Sequence, residues 1–209
     1  MVKKTHYKMQ ISKVNEVYLK VETDSGVERE LSDYFTFEVP GHRFMPAYRN
    51  KIWDGKIRLF SPATGKIYVG LLPYIKDFCY KNDIEYIIDK GVEDVRRISK
   101  GTVSGYVRLL RPKTNGKKLK VRDYQIDAIR YAIESNRALL VSPTASGKSL
   151  IIYVLVRYYQ QMNLKTLILV PTTSLVEQMY SDFEDYGWSS NMHCQKIYQG
   201  YTTQVTKDV

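Results

Sequence analysis

One stretch limits the possible folds of this chain more than any other. A short apolar run at residues 138–141 is followed by a turn of small residues at 142–149, which ends in Gly-Lys-Ser, and then by an apolar-periodic segment. This order is typical of a buried strand, a tight loop and the start of a helix. In a phosphate-binding loop of that kind, backbone N–H groups surround the phosphates, a Lys reaches the β/γ-phosphates and a hydroxyl holds Mg²⁺. The stretch therefore predicts a nucleotide site.

The match to the general phosphate-loop pattern is incomplete. That pattern has Gly five residues before Gly147, where this chain has Ser142. The alternative interpretation is a solvated turn ahead of an amphipathic helix. The flanking apolar segments favour the nucleotide site over this alternative.

Length and composition are those of a globular protein with one large or two small domains. The chain has 209 residues, of which 44% are hydrophobic, and no apolar run approaches the roughly 18 residues of a membrane span. Neither a membrane segment nor a signal peptide is predicted, and we expect a cytoplasmic protein, in the host cytoplasm if the source is viral. Cys79 and Cys194 are predicted to be buried free thiols. No structural metal is expected, because the three His residues are far apart in the sequence.

The positive charge is concentrated in the first half of the chain. Residues 1–118 carry 23 Lys and Arg against 14 Asp and Glu, a balance of +9, whereas residues 119–209 carry 9 against 8, a balance of +1. A basic domain joined to a near-neutral nucleotide-binding unit indicates a polyanionic partner, most simply nucleic acid. The alternative is that the excess of Lys and Arg only keeps the surface soluble.

The pattern along the chain predicts two domains and a connector. Residues 1–90 are expected to form a small α+β domain, built from a strand or hairpin at 7–21, a helix at 28–37, a hairpin at 56–69, a helix at 71–81 and a strand at 84–88. Residues 91–118 are expected to be a basic connector, with a strand at 103–110. Residues 119–209 are expected to alternate helices with strands at 138–141, 166–170 and 194–198, which predicts a parallel sheet.

A cluster of cations in the first domain is the main candidate for nucleic-acid contact. It contains Arg43, Arg49, Lys51, Lys56 and Arg58, interleaved with aromatic residues that include Phe44 and Trp53. Cations provide salt-dependent affinity for phosphates, and aromatic rings can stack on bases. For Phe44 and Trp53 themselves we favour the alternative that they are core residues of a small domain.

Three segments in the second half resemble motifs of a known family. They are Val121-Arg122-Asp123-Tyr124-Gln125, the loop from Ser142 to Ser149, and Val170-Pro171-Thr172-Thr173-Ser174-Leu175-Val176-Glu177-Gln178. In order and spacing they resemble the Q motif, motif I and motif Ia of superfamily 2 helicases. In the first half, Phe44-Met45-Pro46 and the segment Trp53-Asp54-Gly55-Lys56-Ile57-Arg58-Leu59 are similar to the amino-terminal module of UvsW-like phage DNA helicases. The resemblance implies a small basic α+β domain followed by a partial RecA-like domain.

The resemblance also implies a role for each matching residue, with ATP and Mg²⁺ as cofactors. Gln125 would bind adenine, Lys148 would neutralise the γ-phosphate, Ser149 would ligate Mg²⁺, and the phosphates would be wrapped by Thr144, Ala145, Ser146 and Gly147. Contact with the nucleic-acid backbone would come from Pro171, Thr172, Thr173 and Gln178. Alternatively, Gln125 is an exposed helix residue and the two threonines only cap a helix.

Two features limit what the resemblance implies. The family has Gly where this chain has Ala145, and a methyl group there restricts the loop backbone. The family also places catalytic carboxylates in an Asp-Glu-x-His or Asp-Glu-Ala-Asp segment, and none occurs between Gln178 and Val209. The catalytic residues are therefore unknown. We expect the chain by itself to bind DNA, either duplex or branched with RNA not excluded, and to bind ATP weakly at most.

Three functions are compatible with these observations. The first is the amino-terminal part of an ATP-dependent DNA helicase or translocase that acts on branched DNA in recombination, repair or replication. The second is a stand-alone DNA-binding module with a vestigial phosphate loop. The third, a phosphate-loop kinase or another nucleotide-dependent enzyme, leaves Gln125 and the Pro171-Thr172 segment unexplained.

Overall fold

The computed structural model describes residues 8–93, 96–201 and 203–209. The chain divides into two compact units, Met1–Asp94 and Val95–Val209. None of the described helices is both long and apolar enough to cross a bilayer. Burial raises the pKa of Cys79 and of Cys194 to about 11, so these two free thiols stay protonated at neutral pH.

The first unit is built on a five-stranded sheet. Its strands, among residues 8–93, are β1 (Lys8–Lys13), β2 (Tyr18–Glu22), β3 (Thr36–Glu38), β4 (Lys56–Arg58), β5 (Phe60–Ser61), β6 (Lys66–Tyr68) and β7 (Glu85–Ile88). Its helices are α1 (Ser25–Tyr34), α2 (Pro46–Arg49) and α3 (Leu72–Lys81). The main sheet has the order β5-β6-β2-β1-β7, in which β7 pairs with β1 in parallel and the other pairs are antiparallel.

Alternation of apolar and polar residues places one face of this sheet in the core. Met9 and Ile11 are buried in β1, and Ile11 lies opposite Val21 of β2. The predicted hairpin in this region is confirmed, although Tyr7 lies outside the described residues. Helices α1 and α3 pack against the same core through Leu31 and Ile75.

Helix α1 begins earlier than the sequence suggests. Asp24 caps it, with the carboxylate accepting hydrogen bonds from the N–H groups of Gly26 at 3.0 Å and Val27 at 3.2 Å. The helix therefore includes residues 25–27, ahead of the start predicted at residue 28.

The predicted cluster of cations lies on and before the second strand of a separate two-stranded ribbon, formed by β3 and β4. The predicted hairpin at 56–69 holds only in part: β5 pairs with β6, but β4 pairs with β3, with Phe37 opposite Ile57. Between β3 and β4 are a 3₁₀-helix at His42–Phe44 and the single-turn helix α2. Gly55 closes this segment with a φ of +79°, and a Cβ there would lie 2.5 Å from Cδ2 of His42. Glycine is thus required for the chain to turn under the His42 ring.

The second unit is mainly helical. Its helices, within residues 96–201, are α4 (Lys100–Leu110), α5 (Asp123–Ser135), α6 (Lys148–Gln160), α7 (Thr173–Asp185) and α8 (Ser190–His193). A short hairpin of β8 (Lys113–Thr114) and β9 (Lys117–Lys118) joins α4 to α5.

The strand predicted at 103–110 is wrong, because these residues belong to helix α4. The Ser99 hydroxyl caps this helix by accepting from the N–H of Thr102 at 3.0 Å. Val103 and Val107, one helical turn apart, are buried in the same core as Ile129. The predicted basic connector at 91–118 therefore contains helix α4, which packs in the core of the second unit.

The three segments predicted as strands in this unit form no assigned strand among the described residues. Leu139 and Val141 are exposed, as are Leu167 and Leu169. The N–H of Thr166 donates to the carbonyl of Asp208 at 2.8 Å, and the N–H of Gln195 donates to the carbonyl of Val209 at 2.5 Å. The last two residues thus bond to both the second and the third predicted strand segments.

Candidate nucleotide site and nucleic-acid interface

The loop at residues 142–149 leads directly into helix α6. Gly147 is the N-cap of this helix, with a φ of +77°, and Lys148 is its first residue. The first N–H groups of a helix have no partner within the helix and carry partial positive charge, so this end suits an anion. A Cβ at Gly147 would lie 2.4 Å from Nε2 of Gln125, which explains why this position is glycine.

Two side chains of helix α5 hold the loop. The Ser146 carbonyl accepts a hydrogen bond from the Gln125 amide at 3.0 Å and another from the Tyr124 hydroxyl at 2.8 Å. Gln125 also accepts from the N–H of Arg122 at 2.9 Å and is only 5% exposed, so the alternative of an exposed helix residue is wrong. Its amide has one donor and one acceptor position left, and adenine contact stays a prediction.

The Lys148 ammonium group is bonded to the loop itself. It donates to the carbonyl of Pro143 at 2.8 Å and to that of Ser142 at 3.3 Å. Lys148 is exposed, and so are Thr144 and Ala145. A phosphate at the start of α6 would compete with these carbonyls for the ammonium group, so the side chain is available for the predicted role after a local movement.

Ser149 is bonded to a residue that the sequence did not suggest. Its hydroxyl lies 3.0 Å from the hydroxyl of Tyr186, which follows helix α7. Burial raises the pKa of Tyr186, so its phenol stays protonated at neutral pH. Ser149 and Tyr186 are 37 positions apart in the chain, so no local sequence pattern links them.

The two departures of the loop from the family pattern have distinct structures. The hydroxyls of Ser142 and Ser146 are hydrogen-bonded at 2.5 Å, which joins the two ends of the turn. Ala145 has a φ of +63°, in the left-handed region where a Cβ costs about 1–2 kcal/mol. The loop thus adopts at Ala145 the conformation that glycine would adopt without strain.

The implied cofactors fit the residues that are present. The start of α6 and Lys148 suit a polyphosphate, and the Ser149 hydroxyl can supply one oxygen ligand to Mg²⁺. Within the described residues no group of three or more His, Cys, Asp or Glu side chains could hold a metal by itself.

The motif Ia residues are exposed around the start of helix α7. Thr172 caps the helix, with its hydroxyl accepting from the N–H of Leu175 at 3.3 Å. Pro171, Thr173 and Gln178 are exposed as well. Thr172 therefore caps the helix, and contact of these residues with nucleic acid stays a prediction.

Three of the five predicted cations of the first unit converge on one depression, which we call the basic groove. It has a volume of about 860 Å³ and is lined by Arg43, Tyr48, Arg49, Lys51, Ile52, Trp53 and Asp54. Within the described part of the chain no carboxylate pairs with Arg43, Arg49 or Lys51. Their charges are therefore available to an anionic ligand.

The other two cations lie on strand β4. Arg58 donates to the Asp54 carboxylate at 2.5 Å, and the N–H of Lys56 donates to the same carboxylate at 3.1 Å. The bond from Arg58, followed by that from Lys56, lowers the pKa of Asp54. Arg58 thus orders the turn, whereas the Lys56 side chain is exposed.

The preference for Phe44 as a core residue is wrong. Its side chain is 85% exposed, although the residue lies in a 3₁₀-helix. Trp53 is half-buried, and its indole N–H donates to the carbonyl of Lys56 at 2.8 Å. The main sheet and its two helices complete the core of the unit without Phe44.

The loop at residues 142–149, which is bonded to the preceding Gln125 and follows a basic α+β unit, resembles the arrangement in superfamily 2 helicases. Residues 8–89 match the family described as DNA helicase UvsW, N-terminal, and residues 118–209 match type III restriction enzyme, res subunit. The chain belongs to the UvsW-like phage helicases of superfamily 2.

Individual relatives agree with this assignment. The chain is 34% identical over 181 residues to the ATP-dependent DNA helicase uvsW of Enterobacteria phage T4, which covers 86% of this chain and 36% of the relative. It is 26% identical over 109 residues to the DNA 3'-5' translocase XPB2 of Sulfurisphaera tokodaii, which covers 52% of this chain and 22% of that protein. The chain thus spans little more than a third of the T4 relative.

Two solved structures of T4 UvsW share the fold. Each has a TM-score of 0.84 and 32% identity over 94% of this chain, which covers 70% of one solved chain and 40% of the other. The predicted fold class, a small α+β domain followed by a partial RecA-like domain, is confirmed.

Proposed function

We propose that this chain supplies the DNA-binding and ATP-binding parts of an ATP-dependent DNA helicase or translocase. This enzyme acts on branched DNA in recombination, repair or replication. The observation that carries the proposal is the loop at the start of α6, which Gln125 and Tyr124 hold through the Ser146 carbonyl. The T4 relative is named an ATP-dependent DNA helicase, which supports the proposal. The basic groove would bind the DNA backbone.

The residues of the loop and of helix α5 have separate roles in binding ATP. The N–H groups at the start of α6 and the Lys148 ammonium group bind and orient the phosphates, and Ser149 supplies one ligand to Mg²⁺. In the proposed helicase, hydrolysis of bound ATP would provide the free energy for movement along DNA. Tyr124 and Gln125 keep the loop in place from the adjacent helix.

Hydrolysis also needs a carboxylate near Mg²⁺ and a group that orients water. Acidic residues at the end of α7 serve another purpose: Asp185 accepts from the N–H of Asn115 at 2.8 Å, and Glu184 accepts from that of Asn191 at 3.1 Å. These residues anchor neighbouring loops. We therefore expect the chain by itself to bind nucleotide weakly and not to hydrolyse it.

An ATPase assay on the purified chain, with branched and with duplex DNA, tests whether the chain binds nucleotide without hydrolysing it. We expect no turnover above background, together with weak binding of Mg²⁺·ADP that disappears in Lys148→Ala. Turnover that is lost in Lys148→Ala would show that the chain already contains the hydrolytic residues. Absence of Lys148-dependent binding would favour the stand-alone DNA-binding module, whose phosphate loop is vestigial.

Replacing Ala145 with glycine is expected to tighten nucleotide binding several-fold. Ala145 has a φ of +63°, and its Cβ restricts the conformations that the loop backbone can adopt around the phosphates. Glycine removes that restriction, so the loop can close more fully on the nucleotide. Titration with a fluorescent ADP analogue measures the affinity. Asn163→Gly is the control, since Asn163 has a φ of +56° at the far end of α6 and should change stability without changing affinity.

Replacing Tyr186 with phenylalanine is expected to weaken the effect of Mg²⁺ on ADP binding about fivefold. The hydrogen bond between the two hydroxyls orients the Ser149 hydroxyl, and losing one hydrogen bond of this kind costs about 1 kcal/mol. Affinity is measured with Mg²⁺ and with EDTA. Equal loss of affinity in both conditions would show that Tyr186 only supports the fold.

A further inference from the structure

Two large apolar side chains are exposed beside the cations of the basic groove. Phe44 is 85% exposed and Ile52 is 79% exposed, whereas burying such side chains normally stabilises a fold. Phe44 directly follows Arg43, and Ile52 lies between Lys51 and Trp53. The fold therefore forgoes this stabilisation at two positions on the same short segment.

The backbone under both side chains is ordered by hydrogen bonds. The N–H of Phe44 donates to the carbonyl of Gly41 at 3.0 Å, and the N–H of Ile52 donates to that of Ala47 at 2.9 Å. The His42 ring packs edge-on against Tyr48, with a centroid distance of 4.6 Å. The two apolar side chains thus project from a fixed scaffold.

The surrounding charge identifies the ligand. Ile52 lines the basic groove together with its three cations, and Phe44 directly follows one of them, Arg43, in the chain. These three cations have no carboxylate partner in the part of the chain that the structure describes. A surface that combines free cations with exposed apolar side chains suits a ligand with phosphates outside and flat apolar groups within reach. Nucleic acid with unstacked bases has both, and Phe and Ile are among the side chains that insert between bases.

We propose that Phe44 and Ile52 contact unstacked bases where duplex DNA opens into single strands, while the adjacent cations bind the phosphates. This inference rests on the proposed binding of DNA by the basic groove. It specifies in addition which DNA structure the groove prefers. A closed duplex offers the cations their phosphates but hides its base faces. An open fork offers both.

The test compares two fluorescent probes with equal numbers of phosphates, a closed duplex and a fork with unpaired arms, by anisotropy at two salt concentrations. We expect the full chain to bind the fork more tightly. In Phe44→Ala/Ile52→Ala this preference should fall at least fivefold, since base contacts of this kind contribute about 1–3 kcal/mol each. The dependence of affinity on salt should not change, because the cations are intact.

Tyr80→Ala is the matched control, because Tyr80 is 84% exposed on α3 of the same unit and lies next to Lys81, which is paired with Asp77. It should retain the fork preference. A double variant that keeps the preference, or a wild-type chain that binds both probes equally, would overturn the proposed base contact but not the proposed binding of DNA by the groove. Binding of neither probe, or binding that does not depend on salt, would instead overturn the proposed binding of DNA by the groove, and the base contact with it.

Discussion

Replacing Gly147 with alanine is expected to abolish nucleotide binding and to destabilise the second unit by about 2–3 kcal/mol. Of this, about 1–2 kcal/mol comes from a Cβ at a φ of +77°. A further contribution of about 1 kcal/mol comes from Gln125, whose Nε2 would lie 2.4 Å from the new Cβ and must give up its bond to Ser146. Urea unfolding measures the stability, and titration with a fluorescent ADP analogue measures the binding.

Gly105→Ala provides a control of the same chemical type. Gly105 lies within helix α4, and a Cβ there meets no atom within 4 Å. Alanine in a helix is favoured over glycine by about 0.5–1 kcal/mol, so this variant should be slightly more stable and bind nucleotide normally. If Gly147→Ala bound nucleotide as well as Gly105→Ala does, the loop would not be the nucleotide site.

Removing the three cations of the basic groove is expected to reduce DNA affinity by more than tenfold at low salt. In Arg43→Ala/Arg49→Ala/Lys51→Ala, the slope of log affinity against log salt should become shallower by about 3, because each lost phosphate contact changes it by about 1. Anisotropy with a labelled duplex over a range of salt concentrations measures both quantities.

A second triple variant separates the groove from net charge. Lys13→Ala/Lys20→Ala/Lys81→Ala removes the same charge from the same unit, but these lysines are paired with Glu16, Glu22 and Asp77. Exposed pairs contribute little to stability, so this control should fold normally and lose little DNA affinity. An equal loss in both variants would mean that the first unit attracts DNA only through its overall charge.

Local patterns predicted those elements whose residues specify them without distant help. Helix α3 was expected at residues 71–81 and lies at Leu72–Lys81, because its apolar residues recur with helical spacing. The hairpin of β1 and β2 follows from the alternation of polar and apolar residues. The loop between strand-like and helix-like segments likewise places Gly147 at the start of α6.

Errors arose where the outcome depends on packing between distant segments. Residues 103–110 were expected to form a strand, yet Val103 and Val107 stabilise a helix there by packing in the core of the second unit. The apolar runs at 138–141 and 166–170 have the composition of strands, but strand formation needs a hydrogen-bonded neighbour. No local pattern supplies that information.

The same limit applies to the candidate site. Gln125 was predicted from its family motif to bind adenine, which stays a prediction, and its amide donates to the Ser146 carbonyl. Tyr186 was missed because its contact with Ser149 depends on how helix α7 packs. Phe44 was misjudged because a single aromatic residue carries no sign of whether its surroundings bury it.

A crystal structure of the chain with Mg²⁺ and a non-hydrolysable ATP analogue tests the central claim most directly. The β-phosphate should lie on the N–H groups at the start of α6, with the Lys148 ammonium group moved from the Pro143 carbonyl to phosphate oxygen and the Ser149 hydroxyl on the metal. If the analogue bound elsewhere, and Lys148 still donated to Pro143, the loop would not be a nucleotide site.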